Sequence, residues 1–172
     1  MYLTHRLDMR GSAGFLELVD GGAPLPPPAK LSAPDANEAD ALEHVHGEYV
    51  ARALFSRAWQ HRQAALRFIA RDAATGGESA TDMRALGKYV VRGLKDQVTA
   101  VVADAAAIVR QTVDAGGRPA AALLAAGLPA LVERLGDGNA RTAVRLLPCI
   151  AEPRFLACPP LISTVCYVHR RQ

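Results

Sequence analysis

The chain has 172 residues, 50% of them apolar and only 5% aromatic, and a formal net charge of +3. That is material for one domain of ordinary size plus a tail, with enough apolar side chain for a sizeable core. No run of about 18 apolar residues is present to span a bilayer as a helix, and three cysteines without dense spacing (Cys149, Cys158, Cys166) argue against a disulfide scaffold and for a reducing compartment.

The charge is unevenly spread. Residues 1–48 carry three basic and eight acidic residues, a net of −5, and residues 49–172 carry 17 and nine, a net of +8, which together give +3. A mildly acidic leader thus precedes a basic part. A basic surface suits an acidic partner such as nucleic acid, anionic lipid or an acidic protein.

In chain order, residues 1–3 and 14–19 are short mixed apolar runs, each readable as a strand or an extended segment. Five prolines and two glycines across residues 21–40 cannot form a packed element and predict an extended, partly polyproline-like linker. The boundary falls near Ser32 to Glu38, which gives a leader over 1–36 and a helical domain over 37–172. Ala, Val and Leu dominate that domain, and Ala and Leu favour helices. The first predicted helix is capped by Asp35 or Asn37 and runs to about Leu54, with Leu42, Val45, Tyr49, Val50 and Leu54 at 3–4 spacing. The second begins at Trp59 and runs to about Ala74, burying Leu66, Phe68 and Ile69, and Gly76–Gly77 ends it. The third takes Ser79 or Thr81 as cap and aligns Met83, Leu86, Tyr89, Val90 and Leu94, until "KDQ" breaks it. The fourth spans 98–113 and is apolar nearly all round, as a central helix is. After Gly116–Gly117, Pro119 suits the first turn of a fifth, which runs to about Leu135 and is bent or broken near Pro129. "GDGN" interrupts, a sixth helix spans 140–150, "EPRFLACPP" is a loop, and 161–169 starts a seventh element, read as helix.

An internal repeat organises these helices. Second helices of successive pairs start at Trp59, near Gln97 and near Asn139, 38 and then 42 positions apart. Two antiparallel helices at a period of roughly 40–47 residues is the signature of HEAT or armadillo arrays. One hairpin cannot bury its apolar face alone, so hairpins stack. The expected fold class is all-α: an α-solenoid of antiparallel helix hairpins behind an extended leader. Its turns would present Trp59, Lys95–Asp96 and Asp137–Arg141 in a row along one edge. The alternative is an irregular helical bundle with a coincidental period.

The turns carry a family likeness. "SRAWQHRQAAL", "LKDQVTAVVADAAAIV" and "RLGDGNARTAVR" resemble the first three intra-repeat turns of a TOG domain, over about residues 42–150. The likeness is nearer to the TOG domain of a ciliary-tip centrosomal protein than to those of microtubule-polymerase arrays. The resemblance implies a HEAT-repeat paddle whose turn edge grips tubulin or the microtubule lattice. It implies Trp59 as the apolar contact of the first turn, with Gln60 beside it, and Arg62 as a support of that turn or a contact to acidic tubulin surface. It implies Lys95 as the basic contact of the second turn with Asp96 capping the next helix, and Asn139 and Arg141 at or behind the third. A full TOG domain has six repeats, whereas this chain reaches about three and part of a fourth. One-sided or lattice binding, and a fragment of a longer protein, are both consistent with that. Localisation to the cytoskeleton, at a cilium, axoneme or ciliary tip, follows from the same resemblance.

Each feature has a plainer reading. Trp59 could close a helix hairpin from inside, Lys95–Asp96 and Asp137–Asn139 could be turns with caps, and Arg141 and Arg145 could be solvated or paired internally. Cys149, Cys158, Cys166 and His169 match none of the short-spaced zinc patterns, and buried free cysteine is the commoner state. No nucleophile elbow, P-loop, dinucleotide fingerprint or H-E-x-x-H is present, so neither an enzyme nor a cofactor is expected. A scaffold inside a ciliary or cytoskeletal assembly, with the leader laid along another protein, is the second reading. Nucleic-acid binding is disfavoured because the candidate face has few aromatics to stack on bases. A membrane partner is not expected.

Overall fold

Small residues let helices approach closely, and the described helices bury many alanines. A computed structural model describes residues 26–74, 83–115 and 117–136. Six helices fill them: α1 (Ala33–His46), α2 (Glu48–Leu54), α3 (Trp59–Ala74), α4 (Met83–Leu94), α5 (Thr99–Ala115) and α6 (Gly117–Gly136). No strand occurs among the described residues, as the all-α reading expects. The chain divides into two compact units, Met1–Leu86 and Gly87–Gln172.

In the first unit, α1 opens on Ser32, not on Asp35 or Asn37. Ser32 Oγ accepts from Asp35 N at 3.4 Å and donates to Asp35 Oδ2 at 2.6 Å. Pro34 suits the first turn, where a helix leaves its N–H groups without intrahelical partners. The single helix predicted to reach Leu54 is broken at Gly47, whose φ of 86° lies in the left-handed region. Val45, expected on the inner face, is exposed, because this helix turns Ala39, Leu42 and His46 inward. Beyond it, Val50, Ala51, Ala53 and Leu54 are buried. Helix α2 packs on both α1 and α3. Helix α3 keeps its predicted bounds and buries Ala64, Ala65, Leu66 and Ile69. Phe68, expected in the core, is half-buried: its ring takes His46 edge-on at 6.1 Å and Arg71 over its face at 5.6 Å.

The second unit has Tyr89, Val90 and Leu94 of α4 buried, with Ile108 and Val109 of α5 and Leu123 and Leu131 of α6. Helix α5 starts at Thr99 and is amphipathic, not apolar all round: Ala107, Arg110, Gln111 and Asp114 are exposed along one stripe. Helix α6 runs unbroken through Pro129, and Pro119 falls in its first turn. Gly127 lets α6 close on two neighbours, since a Cβ there would lie 3.4 Å from Leu94 Cδ1 and 3.8 Å from Val109 Cγ2. Each fully buried Leu or Ile contributes about 1.5–3 kcal/mol by leaving water, so these few large side chains, set among alanines, supply much of the apolar stabilisation. The strand readings at 1–3 and 14–19, the caps Ser79 and Thr81, the side chains of Met83 and Leu86, and everything from Asp137 onward lie outside the described residues.

Candidate partner-binding turns

Two turns close the hairpins, residues 55–58 between α2 and α3 and residues 95–98 between α4 and α5. A helix leaves its last carbonyls without intrahelical donors, and both turns fold back onto them in the same way. Phe55 N donates to Ala51 O at 3.3 Å, and Lys95 N to Val91 O at 3.1 Å. Ser56 N donates to Ala53 O at 3.2 Å, and Asp96 N to Gly93 O at 3.1 Å. The next helices start alike: His61 N and Arg62 N donate to Ala58 O, Val101 N and Val102 N to Val98 O. A side-chain oxygen at the second turn position completes each loop. Ser56 Oγ accepts from Ala58 N at 3.2 Å, and Asp96 Oδ1 accepts from Val98 N at 2.8 Å. Asp96 therefore closes the turn just ahead of α5, and the charged acceptor makes the shorter bond.

The equivalent positions are 40 apart, Phe55 with Lys95 and Trp59 with Thr99. This corrects the 38-residue spacing from Trp59 to Gln97, because Gln97 lies inside the second turn. The signal that would have set the period is in the helices before the turns. Tyr49-Val50-x-Arg52-x-Leu54 recurs as Tyr89-Val90-x-Arg92-x-Leu94.

The side chains differ more than the backbone. In the first turn Trp59 and Gln60 are half-buried and Arg57 is exposed. Arg62, given two roles by the sequence, uses its guanidinium to brace its own turn: NH1 donates to Ser56 O at 2.8 Å and to Arg57 O at 2.9 Å. His61 is buried, and its Nδ1 shares a hydrogen bond of 3.0 Å with Ser56 Oγ. Burial holds the imidazole pKa below its ordinary value, and the Pro26 backbone beside the ring offsets this in part. Its Nε2 and the Oε1 of buried Gln63 have no hydrogen-bond partner. In the second turn Lys95 and Gln97 are exposed. Arg134 of α6 reaches that turn, donating from Nε to Leu94 O at 3.0 Å and from NH2 to Asp96 O. Ser56, His61 and Arg134 had no place in the sequence reading of the site. Asn139 and Arg141 lie outside the described residues.

A separate buried group sits at the other end of α3 from Trp59, about 20 Å away at the helical rise. His46 Nδ1 is 3.5 Å from Asp72 Oδ2. Desolvation lowers the His46 pKa and the Asp72 charge works against that. Among the described residues no group of three His, Cys, Asp or Glu side chains could hold a metal ion, and no helix is long and apolar enough to cross a membrane.

Two solved structures share this fold. The TOG domain of human Cep104 superposes with a TM-score of 0.66 at 22% identity, over 76% of this chain and 57% of that one. The fold is that of a TOG domain. A second structure of the CEP104 TOG domain gives 0.62 at 22% identity, over 72% of this chain and 54% of its own. The chain thus spans little more than half the length of the TOG structures it matches. No protein-family model and no curated protein matches the sequence.

Proposed function

We propose that this chain is a tubulin- or microtubule-binding module that engages its partner through the turns between paired helices. The observation that carries the reading is the first turn, on a TOG-type fold. It is held by backbone bonds, by Ser56 and by Arg62, and it leaves Trp59 half-exposed beside exposed Arg57. A rigid turn loses little entropy when it binds. Trp and Arg are the side chains most enriched among residues that dominate interface energy. Exposed Lys95 in the second turn adds positive charge suited to an acidic protein surface. Trp59, Gln60 and Lys95 are assigned to the contact, with Asn139 and Arg141 assigned by family likeness alone. Arg62 acts by holding the turn.

Co-pelleting with microtubules and size-exclusion with tubulin dimer test the reading. Trp59→Ala and Lys95→Glu should each weaken binding about tenfold, the scale of a residue worth more than 1 kcal/mol at an interface. Affinity should also fall as salt rises, because exposed charges are screened beyond about 10 Å at 0.1 M. Wild-type affinity in both variants would remove the turns from the interface. A cytoskeletal, ciliary-tip location belongs to the same proposal, as does a non-enzymatic role.

A further inference from the structure

We infer that residues 26–32 form a strap that occupies, on the first unit, the place a hairpin turn occupies on the second, and that this strap fixes the Trp59 turn. The argument starts from a repeated arginine. Helices α2, α4 and α6 each carry an Arg two residues before their last residue: Arg52 before Leu54, Arg92 before Leu94 and Arg134 before Gly136. The planar guanidinium presents donors in a fixed fork and can hold two acceptors at once. In the second unit Arg134 spends that fork on the carbonyls of Leu94 and Asp96, the turn of the preceding hairpin. Arg52, at the same helical position, meets the leader instead. Its Nε donates to Ala29 O at 3.2 Å and its NH2 to Pro28 O, with Glu48 Oε1 3.4 Å away on the same helix.

The composition of the strap fits that task. Pro26, Pro27 and Pro28 have no N–H to satisfy and a fixed φ, so an extended run can offer carbonyls with little ordering cost. Pro28 is buried while Pro26, Pro27, Ala29 and Lys30 are exposed, which makes Pro28 the anchor. The strap also reaches the first turn. It holds Arg52 in the last turn of α2, whose Ala51 and Ala53 carbonyls accept from Phe55 N and Ser56 N, and Ser56 Oγ closes that turn on Ala58 N, next to Trp59. The leader is therefore tied through Arg52 to the helix end on which the Trp59 turn is built. In the second unit the fork of Arg134 lies on the turn itself, and Val101 and Val102 stand where His61 and Arg62 stand in the first. The strap's bearing on partner binding rests on the tubulin proposal, and the strap itself does not.

The test uses the full chain and needs no tubulin, so its outcome is separate from that of the binding assay. Arg52→Lys keeps the charge and loses the fork, and Pro28→Gly loosens the anchor. Arg134→Lys is the counterpart in the second unit. Amide exchange is read at Ala58, His61 and Arg62 and at Val98, Val101 and Val102, with acrylamide quenching of Trp59, the one tryptophan of the chain. Arg52→Lys and Pro28→Gly should each speed the first set about tenfold, the loss of one to two net hydrogen bonds, and leave the second set unchanged. Quenching of Trp59 should rise with them, and Arg134→Lys should give the converse pattern. First-turn amides that keep their wild-type rates, or both sets speeding up equally, would overturn the strap.

Discussion

The two hairpin turns share one backbone and carry different chemistry. At positions 40 apart the same amides meet the same carbonyls. Yet the first turn holds Ser56, His61, Arg62 and Trp59 where the second has Asp96, Val101, Val102 and Thr99. In the second a carboxylate closes the loop and Arg134 of α6 donates to its carbonyls from outside the hairpin. The first is braced from within, by a guanidinium on its own carbonyls and a buried imidazole on its serine. Polar bracing of this kind costs desolvation, and His61 Nε2 and Gln63 Oε1 are left without hydrogen-bond partners. Both turns are thus braced by an arginine, the first by one of its own hairpin and the second by one from the next helix.

Truncating the core of each unit at equivalent positions should cost both hairpins about equally. Leu54 and Leu94 end their helices at equivalent positions and are both fully buried, at 1% and 0% exposure. Leu54→Ala and Leu94→Ala should each cost about 2–5 kcal/mol in chemical denaturation, the usual penalty for a buried leucine. A large inequality would break the equivalence. The next effect separates the turns. Arg62→Ala removes two charge-assisted bonds to the first turn and should cost about 2–3 kcal/mol, whereas Val102→Ala leaves no orphaned carbonyl and should cost less.

Acid should also distinguish the units. Buried His46 and His61 belong to the first, and the second has no histidine among its described residues. Burial lowers both pKa values in the folded state. The unfolded chain therefore binds more protons as pH falls below about 6.5. Stability present at neutral pH is lost on acidification, by at most about 1.4 kcal/mol per pH unit per histidine. The groups near His46 are Asp72 and the Arg71–Phe68 pair, and those near His61 are Ser56 and the Pro26 backbone. Between pH 7.5 and 5.5, amide exchange corrected for its intrinsic rate should rise in α3 and hold in α5. The smallest effect is a swap. Asp96→Ser gives the second turn the first turn's acceptor and should cost under about 1 kcal/mol, against about 1–2 for Asp96→Ala, read as a shift in melting temperature.

Much of this was legible in the sequence where periodicity and end signals agree. Helix α3 has its predicted bounds because Trp59 starts an amphipathic run after a polar turn. The break at Gly47 was not legible: apolar spacing continues across it, and a lone glycine inside a helical pattern is ordinarily tolerated. The repeat period was read from helix starts, which fray, and not from Tyr-Val-x-Arg-x-Leu, which does not. The bracing role of Arg62 and the reach of Arg134 depend on contacts with backbone carbonyls, which no residue pattern displays. Arg52 meeting Pro28 and Ala29 joins a leader to a helix more than 20 positions on, and nothing local in the sequence marks it.

The alanines of the core have a consequence for how such a chain changes over time. Ala39, Ala51, Ala53, Ala64, Ala65, Ala105 and Ala106 are almost wholly buried, and Gly127 sits in contact with two helices. Shrinkage to glycine there costs about 0.5–1 kcal/mol in helix propensity, and enlargement forces helices apart at about 1–3 kcal/mol a time. The fold is then specified by where small side chains recur as much as by where large ones do. A shape written in so short an alphabet outlasts most of its letters, so two chains can share it at 22% identity.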